Sequence, residues 1–166
     1  LELYERAAIT IEKTLGPMHP GVADALINLG DLHLERDDLE RAEHYFTRAL
    51  QITEAARGHD HLDNAWSLGG LGEIAEARGR GDEAMRRFAR AEALYAANEH
   101  PREAAWARFC RARVLDLARS TRAEAHALAK QAAAELTALG AAEDRADIDE
   151  WLAERGTRAT SLPSRE

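Results

Sequence analysis

The sequence predicts an all-α chain, a solenoid of antiparallel helix pairs, and three observations carry the prediction. Hydrophobic residues make up 45% of the 166 residues but aromatic ones only 5%, so alanine and leucine supply most of the apolar fraction. Alanine loses no side-chain entropy in a helix and lets neighbouring backbones approach. The second observation is internal repetition at an offset of 42 residues. Arg6, Ala7, Glu12, Gly16 and His19 recur as Arg48, Ala49, Glu54, Gly58 and His61. Ala23, Leu26, Leu29, Gly30, Leu32, Ala42 and Phe46 recur as Ala65, Leu68, Leu71, Gly72, Ile74, Ala84 and Phe88, and a weaker copy (Phe109, Ala112, Leu115, Ala125, Ala129, Ala132) follows at an offset of 41. The third observation is the period within each copy: Leu26, Leu29, Gly30 and His33 fall at i, i+3, i+4 and i+7, one face of a helix.

Residues 1–18 are expected to be the second helix of a truncated repeat. Its helix runs from Leu1 to Leu15, with Leu1, Tyr4, Ala8 and Ile11 on an apolar side that no preceding helix covers. Together with a start at leucine rather than methionine, this predicts a module from a longer protein. Residues 19–60 form a repeat: Asp37 and Asp38 interrupt the apolar pattern, and Ala42, Tyr45, Phe46, Ala49 and Leu50 face the partner helix before Gly58 ends it. Residues 61–100 repeat the plan, with Gly79 closing the first helix and Asp82 starting the second. Residues 101–140 are a degenerate repeat that opens on Pro101, whose missing N–H is harmless in a first helical turn, and closes on Gly140. Residues 141–156 form a capping helix. Glu143 and Asp144 lie near its positive N-terminal end, and Ile148, Trp151 and Leu152 form its buried face. Residues 157–166, rich in Ser, Thr and Arg, read as a disordered tail.

A helix pair of this kind has more apolar surface than its two helices hide, and stacking the pairs buries the rest. Gly30 with Ala42, and Gly72 with Ala84, let paired helices pack closely, while Phe46 and Phe88 fill the space between neighbouring pairs.

Asn28-Leu29-Gly30-Asp31-Leu32, followed by Ala42-Glu43, Arg48-Ala49-Leu50 and Glu54, resembles the tetratricopeptide repeat. The link Leu15-Gly16-Pro17-Met18-His19-Pro20 is similar to the long-period variety of kinesin light chains and many bacterial proteins. The resemblance covers roughly residues 1–139 and implies a right-handed superhelix of eight helices that binds proteins or peptides. The third copy departs from the pattern: Arg113 stands where a small residue is usual and Asp116 where a large apolar one is. A second resemblance is weaker. Residues 104–117, the alanine-rich helix to Leu139 and the stretch from Arg145 to Leu152 are similar to the C-terminal ends of bacterial Ser/Thr protein kinases. It implies an alternative function, a regulatory or substrate-recruiting tail of such a signalling enzyme, although no kinase motif is in this chain.

The net charge of -8 repels phosphate backbones and argues against nucleic acid as a partner. No apolar run approaches the ~20 residues that span a bilayer, so no membrane association is expected. With Cys110 as the single cysteine and no signal peptide, the expected location is cytoplasmic. Cys110 reads as a small buried hydrophobe, since no base or orienting group accompanies it as a nucleophile would require. No catalytic residues, cofactor or metal are expected. Gly69-Gly70-Leu71-Gly72 lacks both the spacing and the lysine of a phosphate loop. His59 and His61 stand two apart with no third ligand placed, and His61 repeats His19, which points to a structural role.

The candidate site is the inner, concave surface, built from first-helix residues that point away from the paired helix. In the first copy these are Asp24, Ile27, Asn28, Asp31 and Glu35; in the second, Trp66, Gly69, Gly70, Glu73 and Glu76; in the third, Arg108, Arg111 and Leu115. The expected ligand is a protein or peptide segment, basic or neutral, with Asn28 available to hydrogen-bond its main chain and Trp66 to anchor it. Self-association through the N-terminal helix is a further expectation.

Overall fold

A computed structural model of the chain describes residues 2–117 and 121–160, with side chains to residue 155. Among the described residues there are eight α-helices: α1 (Glu2–Leu15), α2 (Pro20–Leu34), α3 (Leu39–Arg57), α4 (Asp63–Ala77), α5 (Gly81–Ala97), α6 (Pro101–Asp116), α7 (Arg122–Ala138) and α8 (Ala142–Thr160). Each helix packs on the next, and α2 with α3, α4 with α5 and α6 with α7 form the closest pairs. The first helices of successive pairs also touch, α2 against α4 and α4 against α6, so the stack curves with these three inside. The result is an all-α right-handed superhelical solenoid.

The repeat seen in the sequence is the packing unit. Phe46 and Phe88 are fully buried, each against the glycine of its own pair. A Cβ on Gly30 would lie 2.7 Å from the ring of Phe46, and one on Gly72 would lie 2.6 Å from the ring of Phe88. His33, buried at 2% exposure, stacks on Tyr45 with ring centres 5.3 Å apart and places Nδ1 3.2 Å from Asp38. Asp38 in turn accepts from the backbone N–H of Arg41 and caps α3.

The helix links repeat as faithfully as the helices. Gly16, Asp37, Gly58, Gly79 and Glu99, one per link, all take positive φ, every 20 or 21 residues along the chain. His19 and His61 do the same job 42 residues apart: the Nδ1 of His19 accepts from Gly21 N–H at 3.1 Å, and that of His61 accepts from Asp63 N–H at 3.2 Å. The α3–α4 link is further tied by Asn64, fully buried, which donates to the carbonyls of Gly58 and His59 (2.8 and 3.0 Å) and accepts from the Thr53 hydroxyl at 2.6 Å.

The third copy keeps its register despite its weak sequence. Phe109, Ala112, Ala125, Ala129 and Ala132 share one cluster with Ile148 and Trp151 of α8. Ala129 is smaller than the phenylalanine it replaces, and Phe109 instead meets the edges of Trp106 and Trp151, with ring centres 5.5 and 5.6 Å apart. Asp116, polar where an apolar residue is usual, pairs with Arg122 of α7 and Arg155 of α8 at 3.4 and 2.7 Å.

Two expectations are corrected. The capping helix does not stop at 156 but runs to Thr160, so the proposed tail at 157–166 begins as helix; residues 161–166 lie outside the described residues. The apolar side of α1 is not bare throughout. Ala8 is buried and Ile11 packs on the α2 cluster, while Leu3, Tyr4, Ile9 and Leu15 are the exposed apolar residues; Leu1 lies outside the described residues.

Candidate functional site

The concave face begins on α2. Asp24, Asn28, Asp31 and Glu35 are spaced three or four apart and all are exposed. Asn28 donates its side-chain amide to the Asp24 carbonyl at 3.0 Å, which fixes the side chain along its own helix. Ile27 is a correction: it is half-buried, and packs into the clusters formed by α1 to α4 rather than facing the groove.

Asp31 and Glu35 share one hollow with Glu73 of α4. Partial desolvation, and then the charge of Glu35, hold the Asp31 carboxyl above the usual range. Glu73 is half-buried and makes no hydrogen bond or ion pair among the described residues. Burial is the main cause raising its pKa; Arg113 opposes it, and Glu76 and Asp31 add to it. Glu76 is not a free charge, because Arg113 of α6 grips it at 3.1 Å through Nε and at 2.5 Å through Nη2. Arg113 thus occupies the small-residue position of the third copy by reaching back to the second.

Beyond Glu73 the concavity deepens into a cavity of about 260 Å³ between α4, α5 and α6. Gly69 and Glu73 form one wall, Phe88, Ala91 and Tyr95 the second, and Glu103, Trp106 and Cys110 the third. At the rim Arg102 is ion-paired with Asp144 of α8. Trp66, 42% exposed, stands edge-on to Tyr95 with ring centres 5.2 Å apart, so the predicted aromatic anchor adjoins this cavity. The Cys110 thiol is 1% exposed, and burial pushes its pKa up to about 12, which makes it a poor nucleophile at neutral pH.

The two adjacent glycines of α4, Gly69 and Gly70, separate. Around Gly69 an added Cβ would meet nothing within 4 Å. Gly70 is buried instead of lying on the groove floor, and its missing side chain is where the ring of Phe46 sits. The basic end of the groove is also corrected. Arg108 and Arg111 point towards the outer helices: Glu92 of α5 receives Arg108 Nε at 2.9 Å and Arg111 Nη1 at 2.6 Å, and Arg108 also pairs with Glu135 of α7. Glu103, Trp106 and Cys110, absent from the sequence-based set, take that place. For Cys110 a signal was available. The offset of 41 carries Trp66 and Gly69 onto Ala107 and Cys110, both of which line the cavity. The same offset carries Gly70 onto Arg111, whereas Arg108 has no counterpart in the predicted set.

A family model described as tetratricopeptide repeat matches residues 1–55 and 33–97, together more than half of the chain. Among solved structures, BtubC (BKLC) from P. vanneervenii is similar over 84% of this chain, with 23% identity and a TM-score of 0.71. This chain spans 56% of the length of that protein. A putative kinesin light chain of Podosopora anserina with nearly identical TPR-like repeats is similar over 97% of this chain and 87% of its own length, at 18% identity and a TM-score of 0.66. No curated protein sequence matches.

Proposed function

This chain belongs to the tetratricopeptide repeat family, and we propose that its concave surface holds a peptide or protein segment of basic or neutral character. Such repeats are in general protein–protein interaction scaffolds, and this reading gives the scaffold a charge preference. The observation that carries it is the set of carboxylates on the inner face that have no ion pair among the described residues: Asp24, Asp31 and Glu35 on α2 and Glu73 on α4, while Glu76, Arg108, Arg111 and Arg113 are all consumed by internal pairs. A concavity lined by one sign of charge focuses its field and raises the local concentration of the opposite sign. Each exposed pair with a ligand contributes about 0–1 kcal/mol, so selectivity comes from several acting together. Trp66 supplies an aromatic contact and the open face of α2 a bed for an extended main chain. The exposed Leu3, Tyr4 and Ile9 of α1 give a second, separate contact surface suited to self-association.

A peptide-array screen tests the groove. Wild type should favour lysine- and arginine-containing peptides over acidic ones, and the double variant Asp31→Lys, Glu73→Lys should reverse or abolish that preference. Wild-type selection of acidic peptides, or a preference untouched by the double change, would show the groove assignment to be wrong.

A further inference from the structure

We propose that the cavity between α4, α5 and α6 is a socket for a single lysine or arginine side chain of the bound segment, with Glu73 as the receiving carboxylate. This rests on the scaffold reading above and adds to it where, and by what chemistry, a ligand is gripped.

Size is the first argument. Small-molecule sites commonly enclose about 300–1,000 Å³. At about 260 Å³ this cavity is below that range and suits one long side chain. The walls are the second. Phe88, Tyr95 and Trp106 offer rings to the aliphatic stem and to the cationic head alike. Trp106 is held half-buried against Phe109, so its ring is presented in a fixed position.

Charge is the third argument, and it selects the cation. Arg102 at the rim is offset by Asp144, and Arg113 behind Glu73 is held by Glu76. Glu103 faces His100 at 3.6 Å, an attraction only when the imidazole is protonated. That leaves Glu73, partly buried and without a hydrogen bond or ion pair among the described residues, with Glu103 as a second carboxylate across the cavity. Such a carboxylate is a standing cost to the empty protein, which an incoming ammonium or guanidinium relieves. An apolar side chain of the same length would leave the cost in place, and an acidic one would add to it.

The fourth argument is the empty volume at Gly69. Gly30, Gly70 and Gly72 each make room for a phenylalanine ring of this chain, whereas nothing of the chain approaches the Cβ direction of Gly69. A glycine inside a helix costs about 1 kcal/mol relative to alanine. Here the room that it leaves opens onto Glu73 and the aromatic walls.

The test is a titration of the full 166-residue chain, ¹⁵N-labelled at neutral pH, with blocked single amino acids (Nα-acetyl, C-terminal methylamide). Lysine and arginine derivatives should give saturable shifts at the amides of Gly69 and Tyr95 and at the indole of Trp106. Norleucine and glutamate derivatives should not. Gly69→Leu should abolish the shifts by filling the socket. Glu73→Gln should weaken binding by about tenfold, as loss of a charge-assisted hydrogen bond implies, with an otherwise unchanged spectrum that shows the fold intact. Equal binding of norleucine, shifts confined to Asp24, Asp31 and Glu35, or no shifts at all would each overturn the socket. Its failure is separable from failure of the groove. If arrays still favour basic peptides and Gly69→Leu binds them as wild type does, only the socket is wrong.

Discussion

The ring of Phe46, on α3, lies inside the space that a Cβ on Gly70 of α4 would occupy. Phe46 also abuts Gly30 of its own pair, so one aromatic side chain is seated between two glycines of successive repeats. The tolerance for phenylalanine in the inter-repeat seam depends on both.

Adjacent glycines of α4 should therefore respond with opposite signs to alanine. Gly70→Ala overpacks the Phe46 ring and should cost about 1–3 kcal/mol. Gly69→Ala meets open space and should gain about 1 kcal/mol in helix propensity. Urea denaturation of the two variants reads the difference, and equal effects would contradict the packing described.

The raised Glu73 carboxyl has a stability signature. A carboxyl whose pKa is higher in the folded state than in the unfolded one favours folding while protonated and opposes it once ionised. Glu73→Gln should therefore be more stable than wild type at neutral pH, by a few degrees in Tm. The gap should close as pH falls through the raised value towards the ordinary glutamate value of about 4.3. A variant that loses stability at pH 7 would mean Glu73 is satisfied after all.

Glu99 holds φ at 61° at the position where Gly16, Gly58 and Gly79 of other links also take positive φ. That conformation costs an L-residue about 1–2 kcal/mol, partly returned by the stiffer unfolded chain. Glu99→Gly should raise Tm, at about 2–4 °C per kcal/mol for a chain of this size. Gly58→Ala, at φ 90°, should lower it. Thermal melts of the two should move apart from wild type in opposite directions.

Asn64→Ala removes the side chain that satisfies the Gly58 and His59 carbonyls and the Thr53 hydroxyl. The His59 carbonyl keeps Arg90 as a donor and the Thr53 hydroxyl keeps the Ala49 and Leu50 carbonyls, so what is lost is hydrogen bonds at about 0.5–1.5 kcal/mol each, and a loss of about 1–3 kcal/mol is expected. Hydrogen exchange should speed up first at residues 58–63. Unchanged exchange there would show that the link is held by other means.

Self-association through α1 predicts concentration-dependent sedimentation, abolished by Leu3→Glu with Ile9→Glu. Both side chains are exposed, at 78% and 52%, so the change should leave the fold intact. A wild type that sediments as a monomer at every concentration removes this contact from the proposal.

The sequence by itself determined the helical period, the 42-residue repeat and the pairing of small with large residues. All three are local or strictly periodic properties, and the His19 and His61 caps and the Phe46 and Phe88 seams follow from them. It also placed Asp24, Asp31, Glu35 and Glu73 on the first helices, because a helix face follows from residue spacing alone. Only the tertiary structure decided which charges remain free. Arg108 and Arg111 turn to Glu92, and Arg113 crosses to Glu76, and these pairings join helices 16 to 37 residues apart in sequence. On α6, Phe109 packs against Trp151, and Trp106 and Cys110 rather than the arginines line the cavity. Spacing fixes a side chain's direction on its own helix, but its partner depends on how neighbouring helices are turned, and that is settled by the packing of the whole stack.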